Sequence, residues 1–560
     1  LDALTAPLAT ARSLPPSWTW SAEWPVARAL DACQKAPANT DFGLSTAPRL
    51  IKPVPSKSRV QPQSRLHSWI CRNDEPGLCF RSNRSPHPVT AQAHNMLEIL
   101  IVIAAVVAVG FLIVKKVDAA AALFAVGVLL LVFAAALGHT GTGALKLKPS
   151  GNVFYDQLNF ITAIFSNRFA TTGLIIMMLF GFASYMTHIG ANDKAVEILT
   201  KPLLGLKLKY LLVPVVFWVG SLLSLVVPSA SSLAILLMAT LYPAMVGAGI
   251  SRLSSGAVIA TTATIMPTPL GADNVVAAER LGYQLGDYVF GVHAKVSIPT
   301  LLIMGIAHYF WQKYMDGRAL RRGLGQPDQS AGADVLGVPE AVVRKVPAYY
   351  AILPVLPLIF VLVPFLLETL GISSFKVALL PITIVSLFIG VLVEIIRRRM
   401  LYDAVGDIKV FFRGMGDGAA SVVALLIAAG IFVEAITQLG VIDSLVKSVE
   451  GVSGAGFILM LVFVGATILL VLLTGSGLAP FYSFIEVIPR IATQTGINGV
   501  LLALPIQFVG NLARAMSPVS AVVLIVAGAM KVQVTELVKR TVVPMGVGIV
   551  SSIALTWILF

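Results

Sequence analysis

The sequence predicts an all-α polytopic membrane protein, an inverted repeat of five crossings plus one re-entrant hairpin and one discontinuous helix per half. Three observations lead there. Of 560 residues, 57% are hydrophobic and only 12% charged, with a mean hydropathy of +0.85, whereas soluble domains carry roughly 25% charged residues. Apolar runs long enough to cross a ~30 Å hydrocarbon core recur along the chain. Their order in the first part of the chain returns in the second. Helices follow because backbone polar groups in lipid must be satisfied within their own segment.

The first 95 residues break these averages. They hold all 3 cysteines (Cys33, Cys71, Cys79) and none of the 15 methionines, the first of which is Met96. They contain no spanning run and no signal-peptide core. Residues 1–95 are therefore expected to be a leader outside the working protein, either upstream sequence translated from a misplaced start or a disordered extension. The expected division is 1–95 leader, 96–312 first repeat, 313–346 cytoplasmic linker and 347–560 second repeat. With no cysteine after Met96, disulfides and thiol chemistry drop out.

From Met96 on, apolar spans are expected at about 97–114, 117–138 and 170–190. A hairpin follows, 208–227 and 233–246, broken at Pro228-Ser229-Ala230-Ser231-Ser232. The next helix, 252–266, is interrupted at Pro267-Thr268-Pro269-Leu270-Gly271 and resumes over 272–282, before a full span at 293–312. The second half repeats this order. Spans lie at about 347–368, 374–396 and 417–438, then a hairpin, 454–473 and 478–490, broken at Thr474-Gly475-Ser476-Gly477. A last broken helix from 499 to 530 is interrupted near Ser517-Pro518, and a final span covers 541–559.

Individual residues repeat as well. Thr187, Gly190 and Asp193 match Thr437, Gly440 and Asp443, while Pro243 matches Pro489 and Gly249-Ile250 matches Gly496-Ile497. Such matches in one order mark an internal duplication. Five crossings is an odd number, so the second half must be inverted relative to the first, the plan of secondary transporters. Lys and Arg fix the orientation. With the linker inside, basic residues such as Lys115, Arg321, Arg397 and Arg540 collect on the cytoplasmic side. The net charge of +13 therefore reads as a topology signal, and no nucleic-acid partner is expected.

The hairpin tips and helix breaks are where chemistry is expected. Irregular backbone survives at membrane depth only where it lines a protein cavity or an aqueous site. Half-helix N-termini there offer unpaired N–H groups and partial positive charge. Ser229, Ser231, Ser232, Thr268, Thr474, Gly475, Ser476, Ser517 and Ser520 add hydroxyls or close backbone at these breaks. The alternative for each is plain helix packing, for which small residues are common in membranes. Arg514 lies between Asn511 and Ser517 in an apolar run, and its planar fork suits a carboxylate. A structural ion pair is the competing account. Asp273 and Glu486 are candidate coupling carboxylates for a proton or Na+. Asp273 equally suits a helix N-cap, and Glu486 equally suits a pair with Arg514. His188 is expected at a helix end, and Glu434 lies within a span without a partner that the sequence names.

No HExxH, GxSxG, P-loop or metal-ligand spacing is present, which argues against an enzyme and against ATP-driven transport. No cofactor is expected beyond a coupling ion. A proton- or cation-antiporter of the same fold would call for several carboxylates at the breaks, where this chain has hydroxyls and one arginine.

The motifs GFASYMTHIGAND (181–193), LLMATLYPAMVGAGISR (236–252), GIAHYFWQKYMD (305–316), LLTGSGLAPFYSFIEVIPR (472–490) and NLARAMSPVSAVV (511–523) carry a resemblance. The chain from Met96 to its end resembles the DcuC-type anaerobic C4-dicarboxylate carriers of the ion transporter superfamily. The resemblance implies exchange, efflux or uptake of succinate, fumarate and malate across a bacterial inner membrane. It also implies a homodimer embedded in the bilayer, with an elevator-like movement of the part that holds the substrate. A carrier of another organic anion on the same fold is the nearest rival.

Overall fold

The computed structural model describes residues 88–139, 147–205, 210–227, 229–322, 346–372, 375, 377–444 and 454–560. Most of the expected leader, most of the expected linker, and Pro228 of the first hairpin break lie outside the described residues.

The described residues are helical throughout, with no strand among them. The first half contains α1 (Pro88–Val114), α2 (Ala119–Ala136), α3 (Val153–Arg168), α4 (Leu174–His188), α5 (Ala191–Thr200), α6 (Leu212–Leu223), α7 (Ala230–Gly247), α8 (Arg252–Ala260), α9 (Ala272–Leu281) and α10 (Ala294–Arg321). The second contains α11 (Leu356–Thr369), α12 (Leu379–Arg398), α13 (Leu401–Gly406), α14 (Ile408–Gly418), α15 (Ala424–Gln438), α16 (Ala455–Thr474), α17 (Leu478–Ile485), α18 (Ile488–Thr495), α19 (Gly499–Arg514), α20 (Ala521–Met530) and α21 (Val534–Leu559). Among the described residues, 10 helices are long and apolar enough to cross a membrane, and two of these, Ala230–Gly247 and Gly456–Thr474, are hairpin arms.

Several elements depart from their expected bounds, each for a physical reason. α1 begins at Pro88, so the boundary expected at 95/96 falls inside a helix. The span expected at 170–190 is preceded by a second helix, α3, and the two join across a kink at Thr171 (φ −103°, ψ −111°) in a stretch of 36 residues, Val153–His188. Its first part carries Asp156, Gln157, Asn167 and Arg168, and this polarity hid it from an apolar-run reading. Leu401–Gln438 is extended in the same way. α10 stays helical to Arg321, past the expected end at 312. α8 stops at Ala260 rather than 266. There Thr261 and Thr262 turn their hydroxyls back onto the carbonyls of Val258 (2.8 Å) and Ile259 (2.9 Å), and the chain leaves the helix.

The two halves recur in detail. A wide helical turn separates α3 from α4 at Phe169–Gly173, and another separates α14 from α15 at Ala419–Val423. These turns pack together: a Cβ on Gly173 would lie 2.9 Å from a methyl of Val423. The broken helices begin on matching caps. Ser251 accepts from the Ser254 N–H (3.1 Å) and Asn498 from the Val500 N–H (3.0 Å). The principal core joins helices of both halves, from Val213, Phe217 and Leu237 to Phe481, Leu504 and Phe508.

Candidate substrate site

The two broken helices meet at their interruptions. α19 ends on Arg514, whose Nη2 donates to the Ala263 carbonyl (2.6 Å) in the break of the first half. The reciprocal link comes from Asp273, in the first turn of α9. Its Oδ2 accepts from Gln507 Nε2 (3.0 Å) and Asn511 Nδ2 (2.8 Å) of α19. Gln507 also donates to Asn274 Oδ1 (2.7 Å) and accepts from the Tyr288 hydroxyl (2.5 Å). Gly271, not Asp273, is the N-cap of α9. Asp273 therefore spends its carboxylate across the breaks rather than on its own helix.

The second hairpin is stitched to the second break. Gly475 turns with φ +74°, and a Cβ there would stand 2.8 Å from the Ser520 backbone. Any side chain on Gly477 would run into the Gly510 carbonyl. Ser517 donates its hydroxyl to the Leu472 carbonyl (2.9 Å), and Thr474 Oγ1 accepts from the Ser476 N–H (3.2 Å). The result places the N-terminus of α17 beside that of α20. The first hairpin approaches its own break through Gly220 and Thr262, whose side chain occupies the space a Cβ would need.

The expected site residues thus fall into groups. Asp273, Asn511 and Arg514 share the crossing, and Thr474, Gly475, Ser476, Ser517 and Ser520 adjoin it through the second hairpin. Thr268 holds the turn into α9: its hydroxyl accepts from the Leu270 N–H (3.2 Å) and its carbonyl from Asn274 (2.8 Å). Ser229 caps α7, accepting from the N–H (3.3 Å) and hydroxyl (3.0 Å) of Ser232. Both serines are exposed, and Ser231 is half-buried beside them.

Glu486 stands apart and is not the partner of Arg514. It accepts from Arg168 (2.7 Å) and Arg280 (3.0 Å) at a separate cavity. Glu434 lines that cavity too, and His188 ends α4 at 3.2 Å from Asp407.

Three hydroxyls around the breaks are buried without a partner among the described residues: Ser520 Oγ, Thr264 Oγ1 and Tyr482 OH. An unsatisfied buried polar atom costs about 1–3 kcal/mol. Donors left open at such cost suit a polar ligand. Sequence reading passed over Thr264, Tyr482, Tyr288, Asn274 and Gln507. The last carried a legible signal, because Gln507, Asn511 and Arg514 follow i, i+4, i+7 spacing, one face of an otherwise apolar helix. Among the described residues no group of His, Cys, Asp and Glu could hold a metal ion.

Hairpins and broken helices facing one polar crossing, in an all-helical chain with a largely apolar exterior, define the class of membrane carriers. The family is closer still. Residues 97–560 match the family model described as the C4-dicarboxylate anaerobic carrier, DcuC. The "probable anaerobic C4-dicarboxylate transporter DcuC" of Vibrio cholerae is 40% identical over 465 residues, covering 83% of this chain and 98% of its own length. The anaerobic C4-dicarboxylate transporter DcuC of Escherichia coli K12 is 38% identical, covering 82% and 96%. The chain belongs to the DcuC family of C4-dicarboxylate carriers, which are transporters and not enzymes. Among solved structures, Neisseria gonorrhoeae MtrF gives a TM-score of 0.46 at 14% identity, covering 85% of this chain and 96% of its own. The YdaH transporter of Alcanivorax borkumensis gives 0.45 at 15%, covering 83% and 98%. At that distance neither likeness bears on the site.

Proposed function

We propose that the chain is a secondary carrier of succinate, fumarate and malate in a bacterial inner membrane, with the dianion bound where the two broken helices cross. One observation carries the reading: Arg514, set at the crossing, spends a single hydrogen bond on the Ala263 carbonyl among the described residues. The rest of its planar fork is left for a carboxylate. The N-termini of α17 and α20, with Ser476 and the unpartnered Ser520 hydroxyl, supply donors for the other end of the dianion. The first hairpin, through Ser229, Ser231 and Ser232, is assigned to the same substrate path from the opposite side.

Asp273 makes this a coupled site. A dianion beside one arginine and one carboxylate leaves two uncompensated negative charges. At about 4 Å and an effective dielectric of ~20, each like-charge contact costs about 4 kcal/mol. A proton or Na+ at Asp273 removes one of them, so substrate and cation must favour each other's binding reciprocally. The wide turns, caps and breaks that recur in both halves support the repeat, and the Lys and Arg distribution supports its inversion with 313–346 inside. The family resemblance supports a homodimer.

Labelled succinate should accumulate faster in proteoliposomes preloaded with fumarate than in empty ones; no uptake in either overturns the reading. For topology, Cys33, Cys71 and Cys79 are replaced by serine and one cysteine is introduced. A cysteine at Lys148 should react with an impermeant thiol reagent in intact cells, and one at Arg321 should be shielded. The reverse pattern would overturn the orientation.

A further inference from the structure

A cavity of about 830 Å³ lies where α2, α9 and α15 end, so it opens toward one face of the protein. Arg168, Glu486 and Arg280 line it. Glu486 bridges the two arginines, Oε2 to Arg168 Nη2 at 2.7 Å and Oε1 to Arg280 Nε at 3.0 Å. The side chains are 12%, 7% and 19% exposed, so the charges sit in a weakly solvated place. They come from three separate elements: the end of α3 just before its wide turn, the residue after α17, and the last turn of α9. Among the described residues neither guanidinium makes a further hydrogen bond, which leaves most of ten N–H donors facing one carboxylate.

We propose that Arg168 and Arg280 form a second anion subsite, a station for one carboxylate of the dicarboxylate between the cavity mouth and the crossing. Glu486 occupies it when substrate is absent. The inference rests on the carrier reading and deepens it. The resident group is itself a carboxylate on two planar cations, so the ligand class is already displayed. The station is also in line with the main site. Arg280 and Asp273 share α9, roughly 10 Å apart along its axis at 1.5 Å per residue. Glu279, Glu434, Asp443 and Arg490 line the cavity as well, so its charged side chains leave one net negative charge while Glu486 stays in place. An incoming dianion must displace Glu486 to bind, and binding at the station is therefore weak and fast. That is what a relay needs.

Equilibrium dialysis of labelled succinate against the purified full chain counts the sites. The wild type should take up one tight equivalent and a second, weak one at millimolar succinate. Glu486→Gln should tighten the second about tenfold, the value of one charge-assisted hydrogen bond no longer competed for. The double variant Arg280→Gln/Glu486→Gln should lose the second equivalent and keep the first, whereas Arg514→Lys should weaken the first roughly thirtyfold to a hundredfold and leave the second unchanged. If the triad is only a brace, no variant shows a second equivalent and the double substitution behaves like wild type. A single equivalent in wild type that Arg514→Lys weakens overturns the station even where Glu486→Gln does not fold. No succinate bound by the wild type overturns the carrier reading, and the station with it.

Discussion

The two halves share a backbone plan and differ in chemistry. Both have a wide turn in the long third helix, a hairpin, and a broken helix with a capped start. At the breaks they diverge. The first runs from residue 261 to 271 through Pro267 and Pro269, while the second is short, 515 to 520, and is preceded by Arg514. The arginine–glutamate triad is one-sided as well. By the offset of the nearest matched residues Arg168, Glu486 and Arg280 correspond to Gly418, Thr240 and Ala527. The two halves thus present two facing breaks. Arg514 lies in one half and the Asp273 carboxylate in the other, so the proposed site draws on both.

The sharpest test of unequal halves is steric. Gly477→Ala drives a Cβ into the Gly510 backbone, which cannot rotate away, whereas Gly220→Ala meets the Thr262 side chain. The first should lower stability by about 3 kcal/mol or more and the second by roughly 1–2, read as thermal unfolding in detergent. Equal losses would mean that the hairpins are held alike. Arg514→Lys comes next. It should weaken succinate binding to purified protein roughly thirtyfold to a hundredfold, because an ammonium cannot reproduce the fork. Arg252→Lys is the matched control, since that guanidinium serves the Met530 carbonyl (2.8 Å) and the Tyr242 hydroxyl (3.2 Å). Unchanged affinity in Arg514→Lys would make the residue structural.

Asp273→Asn tests the division of labour between the halves. The amide oxygen still accepts from Gln507 and Asn511, so succinate–fumarate exchange should persist within about threefold of wild type, the span of one neutral hydrogen bond. Acceleration of net uptake by a proton or sodium gradient should vanish, and its survival would move coupling to another group. The smallest effects should separate a cap from an open donor. Ser229→Ala removes an N-cap and should lower stability by about 1 kcal/mol. Ser520→Ala removes a hydroxyl with no protein partner. It should leave the unfolding temperature unchanged while raising the succinate KM about threefold. A stability loss in Ser520→Ala would place that hydroxyl in the fold rather than the site.

Much of this was legible in the sequence because lipid imposes a simple rule. Apolar runs of spanning length, interrupted by Ser, Gly and Pro, mark helices and breaks regardless of what packs beside them. The hairpins, both broken helices and Arg514 at an interruption could all be read that way. The polar start of the Val153–His188 stretch could not, since Asp156, Gln157, Asn167 and Arg168 break up its apolar run. Nor could the pairings. Asp273 with Asn511, Arg514 with Ala263, and Glu486 with Arg168 and Arg280 each join residues more than two hundred positions apart. Hydropathy is a property of single segments, and it determined which segments cross and where they break. Which buried charge meets which is a property of two segments at once, and only their packing decided it.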